Sequence, residues 1–446
     1  MSSIAAFVIA GFYFITAVII GFKEKRVITR TGGDSFTIIF VFLFINFLLP
    51  GIGIYLILGI FGPDLRTGTA FFDQVIFDLT FIDSLAVCLL LILFILGLYS
   101  TAASSKRFAQ PNLNQWNIEM RGLATILILA GLLTVCTTFF LNLGENFLER
   151  YGNLILYRIQ SPLIERTAFS ANAFTLTQTL TLLSAGVSFI YLAKNRYIRF
   201  VICLILVLYG GFLMGSRRGL ILPILIIYLC SVLWNRKLYM KTAIFLVPFF
   251  IAWISFGKEF TGSHAYNSQI DLQSSYSSYT TMLLRAFSDI GISLVESLAV
   301  FQNFSPSLPR LGIDHLLSVL RRLPDGMLGL DIDWPQRIVR TTTEVFTHKD
   351  DADLPPGLIG QSWLDLPVLG SFFWGLFIGL QCRLLNSWAR NFRPSPAKIA
   401  LMVLLSFIIA LPLNTGSYDF TFSIDIIVLA LLMLIVFGKY RSPKSA

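Results

Sequence analysis

The sequence predicts an all-α polytopic membrane protein, and three observations carry that prediction. Of its 446 residues 55% are hydrophobic and only 13% charged, against about 25% charged in an ordinary soluble domain. Apolar runs of about 20 residues, the length a helix needs to cross a bilayer, recur from one end of the chain to the other. Lysines and arginines cluster in every second connection between those runs, the pattern expected when basic loops stay cytoplasmic. The apolar excess excludes a disordered chain, a disulfide scaffold and a free-standing soluble enzyme.

Eleven runs qualify, at about 3–22, 37–61, 79–99, 122–142, 172–193, 198–214, 219–234, 242–257, 366–385, 397–414 and 421–438. Splitting one of them would make twelve. No basic residue precedes the first run, and Lys23, Glu24, Lys25 and Arg26 follow it. It therefore reads as an uncleaved anchor with its N-terminus outside, not as a signal peptide. The second run is long and contains Pro50 and Gly51, so a kink, or one re-entrant half, is expected there. The connections after runs one, three, five, seven and nine and the C-terminal tail, taken with the run ends that flank them, hold 20 of the 34 basic residues; their only acidic residues are Glu24, Asp34 and Glu119. The net charge of +9 is then mostly a topology signal, and no nucleic-acid partner is needed to explain it.

Cys88, Cys136, Cys203, Cys230 and Cys382 fall inside the runs or at their ends. There they read as small apolar packing residues and not as a disulfide framework. The three histidines, His264, His315 and His348, all lie outside the runs, and no Cys/His spacing suits zinc.

The longest polar stretch, 258–364, falls on the outer side between the eighth and ninth runs. Loops of that length usually carry function. Within it Tyr279–Phe304 has helical periodicity, with Met282, Phe287, Ile290, Leu294, Leu298 and Phe301 at three- and four-residue steps. On one continuous helix Arg285 and Glu296 come within about 20° of the same face and Asp289 lies about 40° round from Arg285, so one stripe displays an arginine and two carboxylates. A second amphipathic piece, Asp314–Leu323, contains Arg321 and Arg322. Asp78, Asp83, Asp365, Asp419 and Asp425 sit at the outer ends of runs, as do Arg217 and Arg218 in the turn Gly215-Ser216-Arg217-Arg218-Gly219. A charge near the bilayer centre costs several kcal/mol unless it meets water or a partner. These groups therefore predict a polar cavity opening outward.

The Gly-Ser-Arg-Arg-Gly turn offers two guanidinium groups and free backbone N–H donors at a helix start, a suitable place for phosphate or pyrophosphate. Arg285, Arg321, Arg322, Arg337 and Arg340 add five more forks against Lys258 and Lys349, and the planar fork binds two phosphate oxygens at once. The plainer alternative makes Arg217 and Arg218 headgroup anchors and pairs the loop arginines with nearby acids. Asp331-Ile332-Asp333 and Asp351-Ala352-Asp353 have a metal-binding form that is common by chance, and Asn303-Phe304-Ser305, a glycosylation pattern, is followed by Pro306. No metal and no cofactor is expected.

A many-span chain with one large external loop late in the sequence, the Gly-Ser-Arg-Arg-Gly turn before it, and Leu354-Pro355-Pro356-Gly357-Leu358-Ile359-Gly360 leading into the next run resembles the bacterial O-antigen polymerases, the Wzy family. Arg285-Ala286-Phe287-Ser288 followed by Glu296-Ser297-Leu298-Ala299-Val300-Phe301-Gln302-Asn303-Phe304 is also similar to the enterobacterial common antigen polymerase. Members of the family commonly have twelve or more spans, one more than counted here. The resemblance implies a GT-C-like membrane glycosyltransferase of the inner membrane with its site facing the periplasm. It implies transfer of a growing glycan from undecaprenyl pyrophosphate onto a new undecaprenyl-pyrophosphate-linked repeat unit, without metal, and a chain-length regulator of the polysaccharide co-polymerase type as partner.

On that expectation Arg217 and Arg218 hold the donor pyrophosphate, Arg285, Arg321 and Arg322 complete the clamp, and Arg337 and Arg340 are available beside them. Glu296 is the first candidate to accept the proton of the attacking hydroxyl, or to orient Arg285; Glu344 and His348 are further candidates. Tyr266, Tyr276, Tyr279, Trp334 and Trp363 are available to stack on sugars or to pack at the membrane interface. The O-antigen ligase performs the same transfer onto a different acceptor and is the nearest alternative. A lipid-linked oligosaccharide flippase would more often show internal repeats and midplane charges, and a membrane O-acyltransferase would carry a histidine in or beside a span.

Overall fold

A computed structural model of the chain describes residues 1–31, 33–62, 65, 70–103, 117–122, 125–126, 128–134, 168–214, 217–234, 279–304, 309–312, 356–415 and 424–440. The eighth predicted span lies outside them and the fourth is described only in part. In chain order the helices are α1 (Ser3–Thr31), α2 (Ser35–Leu43), α3 (Leu49–Phe61), α4 (Ala70–Phe77), α5 (Phe81–Ala103), α6 (Ala168–Ala193), α7 (Tyr197–Met214) and α8 (Arg217–Trp234). They continue with α9 (Tyr279–Ile290), α10 (Ile292–Asn303), α11 (Leu358–Asp365), α12 (Leu369–Ala389), α13 (Pro396–Thr415) and α14 (Ile424–Val436). Two short strands, β1 (Asn117–Met120) and β2 (Phe437–Tyr440), pair antiparallel.

The described chain is mostly helical and carries five helical segments long and apolar enough to cross a membrane: Ser3–Ile28, Ser35–Phe61, Phe81–Ala102, Leu176–Ala193 and Pro396–Leu413. The pair α11 and α12, bent by 118°, makes a sixth if counted as one broken span, and α7 and α8 contribute shorter apolar stretches. Helix α1 shows why such segments want lipid. Ala6, Ile9, Tyr13, Ala17 and Ile20 are buried on one side while Ile4, Phe7, Phe14, Ile15, Ile19 and Phe22 are exposed on the other, a helix apolar all round with one face against protein and one open to acyl chains.

The second span is not broken at Pro50. It runs through Ser35–Phe61, with a π-helical turn over Phe44–Leu48 immediately before the proline. Pro50 has no N–H to offer the carbonyl one turn back and its ring crowds that carbonyl; a widened turn accommodates both defects without ending the helix. Gly51 serves packing instead, because a Cβ there would run into the ring of Tyr13.

The tightest pairing in the bundle joins α5 to α12. Ser371, Gly375 and Gly379 recur at every fourth residue, and Gly97 faces them from α5. A Cβ on Gly97 would strike the backbone of Phe372, one on Gly375 the backbone of Phe94, and one on Gly379 the carbonyl of Leu98. Small residues at one-turn spacing let backbones touch, which replaces the hydrophobic driving force that helices lack inside lipid. The matched positions rise together, so the two helices run parallel.

Contacts also sort the connections onto two ends. Gly33, just after α1, sits under Leu233 at the end of α8. Strand β1, after α5, pairs with β2, which follows α14, and Ser395, between α12 and α13, donates to the carbonyl of Ile118. At the opposite end Met1 meets Ser84, Gln302 donates to the carbonyl of Val75, and Leu311 donates to the carbonyl of Asp365. Among the described residues the two sets of contacts fall toward opposite ends of α1, one beyond its last residue near Gly33 and the other at Met1.

Candidate functional site

The helix expected over Tyr279–Phe304 is two helices, α9 and α10, meeting at Gly291 with φ −90° and ψ 31°. Gly291 presses on Pro50, where a Cβ would collide with the proline ring, and Phe287 packs over Gly53. Ile45 and Ile221 pack against Ala286 and Ile290. The junction therefore lies midway along the Ser35–Phe61 span, beside the π turn. The expected stripe joining Arg285 to Glu296 is interrupted at Gly291, where the backbone leaves helical geometry; Arg285 is half-buried on α9 and the Asp289 side chain is outside the described residues. Every residue from Ser293 to Val300 is buried, so α10 has no solvent face and only α9 keeps the amphipathic pattern.

Glu296 is only 2% exposed. A carboxylate at that depth is costly unless held, and such groups mark functional sites by default. The face beside it is built by α11. Gly357 and Gly360 lie against Ser293, Ser297 and Val300, and a side chain on Gly357, which also has φ +69°, would meet the Ser293 carbonyl and the Ser297 hydroxyl. The Gly360 N–H donates to Ser297 Oγ (3.2 Å), which donates to the Ser293 carbonyl (2.7 Å). At the far end of α11 Asp365 accepts from Trp374 Nε1 (2.8 Å), Gln361 Nε2 (3.2 Å) and the Gly312 N–H (3.2 Å), and Ser362 and Ser371 share a 2.6 Å hydroxyl contact. Two buried polar atoms on α10 and α11, Ser293 Oγ and Gln361 Oε1, have no hydrogen-bond partner, and neither does Ser288 Oγ on α9.

Arg217 and Arg218 begin α8. Ile221 lies one turn, about 6 Å, further along that helix and packs against the Ala286–Ile290 cluster. The start of α8 therefore stands beside the helix that carries Arg285, with α10 and Glu296 following directly from its end. Arg321, Arg322, Arg337, Arg340, Glu344, His348 and the two Asp-x-Asp pairs lie outside the described residues. Among the described residues no group of three His, Cys, Asp or Glu side chains converges. Trp363 is used in packing: its ring lies 4.8 Å from that of Phe301 and its Nε1 donates to the Phe304 carbonyl (3.3 Å).

Sequence reasoning passed over Ser293, Ser297, Gln361, Ser362, Ser371 and Trp374. A signal existed for the contact but not for its meaning. Ser293-x-x-x-Ser297 and Gly357-x-x-Gly360 each place small residues one turn apart, the mark of two helices in close approach. Comparison of the chain with protein-family models, with curated proteins and with solved structures found no match.

Proposed function

We propose that the chain is an O-antigen polymerase: an inner-membrane glycosyltransferase of GT-C-like architecture, with eleven or twelve spans and its site facing the periplasm. The anomeric carbon of the growing glycan leaves the oxygen of undecaprenyl pyrophosphate and bonds to a hydroxyl of the new lipid-linked repeat unit. The hydroxyl proton passes to Glu296, and undecaprenyl pyrophosphate departs.

The observation that supports this reading is the packing of Ile221 against the Ala286–Ile290 cluster. It brings the Arg217–Arg218 helix start beside the Arg285 helix, and the only break before Glu296 is Gly291. Guanidinium groups and a helix N-terminus stabilise charge growing on a pyrophosphate leaving group, while a buried carboxylate one helix away suits proton transfer. The decisive experiment is polymerisation of a purified lipid-linked repeat by the purified protein with EDTA present. A ladder of lipid-linked products is expected. Unextended repeats would overturn the reading, and transfer only onto added lipid A core would identify the ligase reaction.

A further inference from the structure

Asp365 lies where three stretches of backbone meet. Its carboxylate Oδ1 accepts from Gln361 Nε2 and from the Gly312 N–H, its Oδ2 accepts from Trp374 Nε1, and its own carbonyl accepts from the Leu311 N–H at 2.9 Å. The neighbouring carbonyl of Leu364 accepts from Arg310 N at 3.0 Å. Asp365 thus joins the chain shortly after α10, the helix α11 that lies on α10, and the span α12 that follows. The backbone on both sides is held in a conformation it would not choose: Leu311 has φ 50° and the β-branched Val368 has φ 65°. Such conformations are costly and persist where the surroundings over-determine them, as they do around functional sites.

We propose that Asp365 is a positioning residue of the candidate site. By fixing both ends of the clamp it seats Gly357 and Gly360 on Ser293 and Ser297, and that contact sets the depth and rotation of α10 and so of Glu296. The catalytic part of this inference rests on the reaction proposed above; the clamp does not. Its chemistry makes an unusual demand on substitution. In Asp365→Asn one oxygen remains, best kept by the two donors Gln361 Nε2 and Gly312 N–H, and an NH2 then faces the indole N–H of Trp374. Two donors oppose each other at a buried position, and Trp374→Phe removes one of them.

The test uses the purified full chain in lipid nanodiscs, read by hydrogen exchange and by polymerisation kinetics. Asp365→Asn should raise exchange at the amides of Arg310, Leu311 and Gly312, within 309–312, and lower kcat on the order of a hundredfold, as a misplacement near 1 Å does, with KM moving less than about twofold. Adding Trp374→Phe to Asp365→Asn should return both readings toward wild type. Unchanged exchange at 309–312 in Asp365→Asn overturns the clamp. Raised exchange with wild-type kcat overturns the positioning role, and a double variant worse than the single one overturns the donor geometry. A wild-type chain that makes no polymer while its exchange responds as expected overturns the reaction and leaves the clamp standing.

Discussion

Two buried carboxylates, Glu24 and Glu296, sit in different parts of the bundle and are treated differently. Glu24, 1% exposed near the end of α1, takes Thr37 Oγ1 on one oxygen (2.7 Å) and Tyr99 OH on the other (2.9 Å), and Lys23 lies 3.9 Å over the Tyr99 ring. The group ties α1, α2 and α5 together. On the helices near Glu296, by contrast, polar atoms remain unpaired: Ser293 Oγ on its own helix and Gln361 Oε1 on α11, which packs on α10, are buried without hydrogen-bond partners. Buried polar groups are normally all satisfied, and those that are not call for an explanation by strain, function or a missing partner. The contrast separates a carboxylate kept for holding helices from one kept beside spare hydrogen-bonding capacity.

The contrast can be broken most forcefully by activity. Arg217→Ala, Arg285→Ala and Glu296→Gln are each expected to abolish polymer while single repeats still cap the lipid A core, with the protein expressed and folded; wild-type ladders at matched expression would erase the distinction drawn for Glu296. Gly375→Leu comes next, and it attacks neither carboxylate. A side chain there meets the backbone of Phe94, so little folded protein is expected after detergent extraction, whereas an exposed site such as Leu384→Ala, 70% exposed, should extract normally. Glu24→Ala removes the acceptor of the Tyr99 hydroxyl, at about 1–3 kcal/mol for that buried group, and leaves Thr37 Oγ1 only its longer contact to Asp34 Oδ1 at 3.4 Å. Thermal denaturation should register that loss, and the polymerisation rate of the protein that stays folded should not. Trp363→Phe is the smallest change: it removes one hydrogen bond to the Phe304 carbonyl, worth about 1 kcal/mol, and polymer length should be untouched if that tryptophan packs and does not stack on sugar.

These tests rest on parts of the molecule that were unequally legible in the sequence. The helical, apolar character was readable because apolar length reports directly on the bilayer, and five to six of the expected spans stand among the described residues. The π turn at Phe44–Leu48 was not readable, since Pro50 announces a defect in the helix without saying which of several remedies the chain adopts. The break at Gly291 was hidden for a related reason. Apolar residues continue at helical spacing on both sides of it, and only the close approach to Pro50 explains why a glycine stands there. Glu296 was picked out for the face it shared with Arg285, yet what distinguishes it is burial. The Asp365 clamp joins residues whose separations in sequence, four, nine and fifty-three, carry no periodic signal.

The pairing of α5 with α12 has a consequence for how the chain is made. Gly97 and Phe372 are separated by roughly 270 residues, so at synthesis rates of about 5–20 residues per second α5 waits tens of seconds for its partner. Throughout that interval its glycine face looks onto lipid or onto the insertion machinery. The Glu24 group needs only α1, α2 and α5, all present early. It can assemble as a first knot that keeps the face of α5 turned the right way until the last third of the protein arrives.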